Sequence, residues 1–472
     1  MQQAEKVIMR IYIVILFLTL GFAQINWEME TVDDSPGLVG YFSSLVLDIN
    51  DIPHIVYAIT QVDTNLIMYA FKTESCWQKE TVDVCLTGGP YWGLPYHGVS
   101  LAIGNDSKLH TSFYRYDSLN NRTALCYAYR DSLSWTIQVL DSMAGTMSWV
   151  PGYHTSIALD TSGYPGIAYS YWNLTDSLQY IKYLHYNGVN WNTFIVEDGC
   201  ACWDFGPSLK IDSRNQPHIA YYQLHPDSLK YLYYDNQLNT WVIVFCQFIG
   251  AVNSNVSLSL VLDSQDHPGI AHSFDNAIAY SWNDGILWYT DIVGGAGYSE
   301  VSIALDLDSL ENPHIAYSVE FNFWLEYAYK DTTWHLCGPH YGTAGHISLI
   351  LDNNSNPHIT FGPSLYYVTG KFIGIVENDK QQSFRNKRCR IRVFPNISSG
   401  LVNVEYTLPV KSEIELSLYD IYGVEIKTLE HRTFLPGNYH QVIDIGNLCS
   451  GIYFLILKQN NEQVSRKFLL IR

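Results

Sequence analysis

Hydrophobic positions fall into short runs of period two separated by turn residues, and long stretches with the spacing of an amphipathic helix are hard to find. The alternation recurs as a unit. A mostly apolar run ends at Asp or Gly, a polar turn leads in most copies to Pro, and a second apolar run follows. The first copy is Ser44–Asp48 with Pro53–Tyr57. The others are Ser100–Gly104 with Leu109–His110, Ser156–Asp160 with Pro165–Tyr169, Ser208–Asp212 with Pro217–Tyr221, Leu260–Asp263 with Pro268–His272, Ile303–Asp306 with Pro313–Tyr317, and Ser348–Asp352 with Pro357–Phe361. A third run is aromatic, as in Leu66–Phe71 and Leu229–Tyr234. A fourth starts at Trp77, Trp135, Trp191, Trp241, Trp288 or Trp334.

From Asp48 through Gly104, Asp160, Asp212, Asp263 and Asp306 to Asp352 the steps are 56, 56, 52, 51, 43 and 46 residues, near the period of a propeller blade. Four-stranded units joined in sequence close into a ring and so remove exposed sheet edges. The prediction is an all-β chain with a seven-bladed β-propeller over residues 24–376. Trp27 and Phe372 each look like an additional fourth strand. Trp27 is expected to complete a blade supplied by the other end of the chain, since strand pairing between the termini holds a ring shut. One strand is then left over.

Lys6 and Arg10, the apolar run Ile11–Leu20 and the small residues Gly21 and Ala23 have the order of a secretory signal peptide, 1–23, cut after Ala23. The apolar run is shorter than the roughly 20 residues of a membrane helix, so no transmembrane segment is expected after cleavage. At the other end, beyond a linker at 377–387, residues 388–472 hold seven alternating runs, the count of a small β-sandwich. They are Ile391–Phe394, Leu401–Thr407, Ile414–Tyr419, Glu425–Leu429, Tyr439–Ile445, Gly451–Lys458 and Val464–Ile471.

This last segment resembles the C-terminal sorting domain of proteins exported by the type IX secretion system. The matching pieces are Val393–Asn396, Ser399–Gly400, Leu418–Gly423, Leu435–Gly437, Ser450–Phe454 and Arg466–Arg472, with Ile397 where the family usually has a second Pro. The resemblance implies engagement of the type IX secretion machinery and passage through the outer membrane. Release or attachment to surface lipopolysaccharide then follows. It implies nothing about the chemistry of the propeller.

Composition narrows the classes. The net charge of −19 argues against a nucleic-acid partner, because phosphate neutralisation needs Lys and Arg. Only four Arg and seven Lys lie between Gln24 and Gly370, against 14 basic residues after it, a shift that marks a domain boundary. Nine Cys is an odd number, so the chain cannot pair them all internally. Cys389 and Cys449 are a possible pair within the last domain.

Candidate chemistry lies in the loops that lead into each first strand, which a propeller gathers on one face. They carry Tyr41; Trp92, Tyr96 and His97; Trp149, Tyr153 and His154; Trp203; Tyr298; and Tyr341 and His346, interleaved with Gly. Flat apolar rings with a polar edge suit sugars and extended peptides. They also suit packing between blades or closure of the channel. His97, His154 and His346 stand at near-equivalent positions, where imidazoles can serve as acid and base or hold a metal. The recurring Asp and Pro-His of the turns reads as a hydrogen-bonded brace, since Gly104, Gly166 and Gly269 replace members without breaking the pattern.

Sialidase-type glycosidases resemble this chain in blade architecture but use three Arg on the substrate carboxylate, and Arg115, Arg122 and Arg130 crowd one blade. No cofactor or metal is implied. The reading is an exported protein that binds an extracellular glycan or protein through its aromatic loop face. A secreted glycan-acting hydrolase or lyase and a structural surface or adhesion protein are the alternatives.

Overall fold

In the computed structural model the chain forms two compact units, residues 1–375 and 376–472. The structure describes residues 24–61, 64–86, 98–117, 122–131, 134–144, 154–173, 178–198, 206–223, 228–248, 257–274, 277–295, 302–319, 324–339, 341–342, 344–362, 364–373, 390–394, 397–398, 401–408, 411–420, 425–435, 437–446, 448, 451–459 and 462–470. Among them no helix is long and apolar enough to cross a membrane.

The first unit is seven four-stranded antiparallel sheets, and it is the expected propeller. The first blade is Leu38–Leu47, Pro53–Thr60, Thr64–Lys72 and Trp77–Leu86, hydrogen-bonded in that order. Five further blades repeat it. The seventh takes Ala344–Leu351, Pro357–Gly362 and Tyr366–Ile373 from the C-terminal side and Gln24–Thr31 from the N-terminus. Trp27 therefore starts the body of the closing strand, opposite Gly370. The leftover strand dissolves, because Phe372 lies inside the third strand of this blade, opposite Ile25.

The aromatic repeat makes the seams. The Trp that opens each fourth strand stands edge-on to a third-strand Tyr of the preceding blade. Trp135 meets Tyr69, Trp191 meets Tyr127, Trp241 meets Tyr183, Trp288 meets Tyr231 and Trp334 meets Tyr280. Trp27 on Tyr327 and Trp77 on Tyr367 complete the circle. Edge-to-face pairs of this kind add about 0.5–1.5 kcal/mol each beyond burial. Cations cross the same seams: Lys72 to Glu30, Arg130 to Glu80, Lys182 to Asp141, Lys230 to Glu197 and Lys330 to Asp291. The scarce basic residues of the propeller are thus largely spent on joining blades. A bulge between third and fourth strands in each of the first five blades bends the outer edge, which disfavours edge-to-edge pairing.

The turn residues form the brace that their recurrence suggests. Asp48 Oδ1 accepts the N–H groups of Asn50 and Ile52 at 2.8 and 2.9 Å, and Asp212 and Asp352 repeat the arrangement. His218 Nδ1 bonds the Tyr231 hydroxyl at 2.5 Å while its Nε2 faces Asp212 at 3.4 Å. Where Gly166 takes the His position, the Tyr183 hydroxyl fills the space: a Cβ there would stand 2.6 Å from it. In the sixth blade the expected turn residue, Asp306, is not the one used. Asp308 accepts the N–H groups of Leu310 and Asn312, because the first strand, Ile303–Leu307, runs two residues past the point where the repeat places the turn.

The second unit has a three-stranded sheet (Arg390–Phe394, Leu401–Leu408, Gly437–Asp444) and a five-stranded one. Both face one core that includes Val402, Val404, Leu416, Leu418, Leu455 and Leu457. Beyond the seven predicted strands there is a two-residue strand, Ile397–Ser398, paired parallel to Leu469 and Leu470. Among the described residues Cys76, Cys85, Cys126 and Cys337 form no disulfide; the Cys389–Cys449 pair lies outside the described residues.

Candidate functional site: the axial cavity and its rim

The first strands of the seven blades surround an axial cavity of about 400 Å³. Alternate residues of a strand face the same way, so the repeat places cavity-lining side chains in levels. Six residues before each turn residue stand Phe42, Gly98, His154, Gly206, Ser257, Ser302 and His346. Two residues further along stand Ser44, Ser100, Ser156, Ser208, Ser259, Ala304 and Ser348. Nearest the turns, Val46, Lys210, Asp306 and Ile350 line the cavity.

At the first level three rings meet. Phe42 and His346 are 4.3 Å apart between centroids, His154 and His346 6.0 Å, and Phe42 and His154 6.2 Å. His154 reaches inward over Gly206, where a Cβ would stand 2.4 Å from that of His154. Enclosure by protein lowers the His346 pKa to about 4, so its imidazole is neutral near pH 7.

The serine level is a seam as well as a lining. Leu101 N–H donates to Ser44 Oγ at 3.0 Å, Ile157 to Ser100 at 3.1 Å, Leu209 to Ser156 at 3.1 Å, Leu260 to Ser208 at 3.0 Å and Leu305 to Ser259 at 3.2 Å. Leu45 donates to Ser348 at 3.1 Å and closes the ring. The sixth blade has Ala304 at this level; its seam bond moves to Asp306, whose Oδ2 accepts Leu351 N–H at 2.8 Å. Burial raises the Asp306 pKa, opposed by the Leu351 N–H and by the positive charge of Lys210.

Of the residues singled out in the sequence, Tyr41, His154 and His346 line the cavity, with Tyr41 edge-on to Phe42 at 5.3 Å. Tyr341 goes elsewhere: it packs against the core between the sixth and seventh blades, and its carbonyl accepts Leu325 N–H at 2.8 Å. Trp92, Tyr96, His97, Trp149, Tyr153, Trp203 and Tyr298 lie outside the described residues. In the second blade the level of His154 and His346 is held by Gly98, one position after His97. Phe42, the serine ring, Lys210 and Asp306 were not anticipated. The serines were visible as the opening residue of most repeats, but a small polar residue at a strand start carries no mark of facing an axis. Among the described residues no group of three or more His, Cys, Asp and Glu is placed to hold a metal ion.

Topology defines the first unit as a β-propeller, and the second is of a recognised kind. Residues 392–471 match the family described as the secretion system C-terminal sorting domain. The protein therefore carries a type IX sorting domain and is exported, to the outer-membrane surface or the medium. No curated protein matches the chain. Solved structures similar in fold include the SapL1 lectin in complex with alpha methyl fucoside (14% identity, 57% of this chain and 89% of that one, TM-score 0.40). Virginiamycin B lyase from Staphylococcus aureus is another (7% identity, 74% and 100%, TM-score 0.45). So is an alpha-L-arabinanase of Penicillium chrysogenum complexed with arabinobiose (11% identity, 73% and 97%, TM-score 0.42). At these identities the likeness concerns the fold alone.

Proposed function

We propose that this exported propeller is a binding module that takes an extracellular partner, a glycan by the chemistry of its rim, on the face where the first strands begin. The observation that carries this reading is the convergence of Tyr41, His154 and His346 on one end of the axial cavity. The segments rich in Trp, Tyr and Gly lead into the strands that start there. Aromatic rings backed by a rigid sheet frame lose little freedom when a sugar ring stacks on them.

Hydrolysis is the weaker reading. Among the described residues the cavity lining has a single carboxylate, Asp306, whereas glycoside cleavage ordinarily uses two. An imidazole with a pKa of about 4, such as His346, is a poor general base at neutral pH. The contacts of Phe42, His154 and His346 across the axis favour one further alternative, a propeller whose aromatics serve only to pack its centre.

A glycan-array screen with the full mature chain, with and without divalent metal, tests the proposal. Binding that is independent of metal and is lost in the triple variant Tyr96→Ala, Trp149→Ala, Tyr153→Ala supports it. An array without hits sinks the glycan reading in favour of a protein partner or a packing role.

A further inference from the structure

Six serine hydroxyls ring the axis at one level, and each already accepts a backbone N–H from the next blade. A hydroxyl has one proton to donate and lone pairs to accept. Among the described residues none of these six donates to a protein acceptor, so the cavity is ringed by hydroxyls whose protons have no acceptor there.

One level nearer the turns stands Lys210, exposed toward the cavity. The other six lysines between Gln24 and Gly370 each make an ion pair: Lys72, Lys79, Lys108, Lys182, Lys230 and Lys330. Among the described residues Lys210 makes none. The cavity's carboxylate, Asp306, lies beyond ion-pair distance, and both its oxygens are engaged by backbone, Oδ1 with Leu307 N–H at 2.9 Å and Oδ2 with Leu351 N–H. The described lining is thus rich in donors whose acceptors are not supplied by the fold.

We propose that the axial cavity is a second binding site, separate from the rim, for a small oxyanion: a carboxylate or sulfate group held by Lys210 and the serine hydroxyls. A charged donor and several neutral donors lining one cavity are what an oxyanion requires. A cation would meet the positive charge of Lys210, and the one carboxylate of the described lining, Asp306, already has both oxygens engaged. The volume of about 400 Å³ admits a monosaccharide-sized molecule as readily as an inorganic ion. The assignment does not rest on the rim reading, and either stands if the other fails.

Isothermal titration of the full mature chain with sodium sulfate, sodium glucuronate and glucose, at constant ionic strength, tests it. Saturable binding of sulfate, glucuronate or both is expected, with glucose at least about tenfold weaker. Sulfate alone identifies an inorganic anion site; glucuronate alone identifies a sugar-acid site. Lys210→Met, at an exposed position, should cost about tenfold or more in affinity, while Lys210→Arg keeps the charge and the binding. Ser100→Ala and Ser208→Ala should weaken binding in folded protein, checked by an unchanged circular dichroism spectrum. No saturation by either anion up to about 10 mM, equal binding of glucose, or full affinity in Lys210→Met overturns the proposal.

Discussion

The Trp27 indole stands edge-on to the Tyr327 ring, with centroids 5.3 Å apart and planes crossing at 78°, and its Nε1 donates to the Cys337 carbonyl at 3.1 Å. These contacts span the two ends of the propeller sequence and act with the strand pairing from Gln24↔Ile373 to Thr31↔Tyr366. Trp27→Ala should therefore cost about 3–5 kcal/mol, the range for emptying a packed aromatic site, read by chemical denaturation. A loss below about 1 kcal/mol would show that the ring is held shut by something else.

The Trp seams differ in their polar ends. Trp135 Nε1 donates to Glu80 at 2.8 Å, whereas Trp288 Nε1 is buried without a hydrogen-bond partner, its ring stacked on Phe245 at 4.2 Å. The register explains this: three residues into the preceding fourth strand the neighbour is Glu80 in one case and Val244 in the other. Trp135→Phe should cost about 1.5–3 kcal/mol more than Trp288→Phe in parallel melts, the worth of a hydrogen bond to a charged acceptor. Equal costs would contradict this.

Buried histidines set the pH response. Burial lowers the pKa of His272 from 6.5 to about 4 in the folded chain, the bond to the Ser273 carbonyl opposing this; His110 and His346 also fall to about 4. The unfolded chain binds more protons between those values, so their contribution is complete above pH 6.5 and is lost as pH falls from there toward 4. Each fully buried ring contributes up to roughly 3 kcal/mol to that loss. Asp308, held near 2 against burial by bonds from His314 and Asn312, adds its loss only below the ordinary carboxylate range. Melting temperature should be flat from pH 8 to 7 and drop through the acid window in a scan of thermal unfolding; a rise on acidification would contradict the assignment.

The Asp-His-Tyr braces resemble metal ligand sets in sequence only. In the fourth blade His218 Nδ1 is taken by the Tyr231 hydroxyl and Nε2 faces the Asp212 carboxylate at 3.4 Å. EDTA should leave the melting temperature unchanged, while His218→Ala should lower stability by about 2–4 kcal/mol through a buried void and a stranded Tyr hydroxyl. A clear loss on chelation would point to a metal.

What was legible in the sequence is what repeats. Trp27 could be read as the closing strand because its spacing copies that of Trp77 and the others, and the seam geometry depends on that same spacing. Asp306 and Asp308 could not be told apart, since both end an apolar run and only the length of the strand decides which carboxylate reaches the turn. The axial features were hidden for a different reason. Phe42, His154 and His346 come from three blades, and Lys210 and Asp306 from two more, so their convergence is a property of ring closure and of no local stretch of chain.

The most direct measurement of the functional account is hydroxyl-radical footprinting of the full chain with the strongest array glycan. The predicted result is protection of Tyr41, Trp149 and Tyr153 with no change at Tyr164, which is exposed on a turn at the opposite end of its first strand. Protection at Tyr164 with none at the rim would contradict the account.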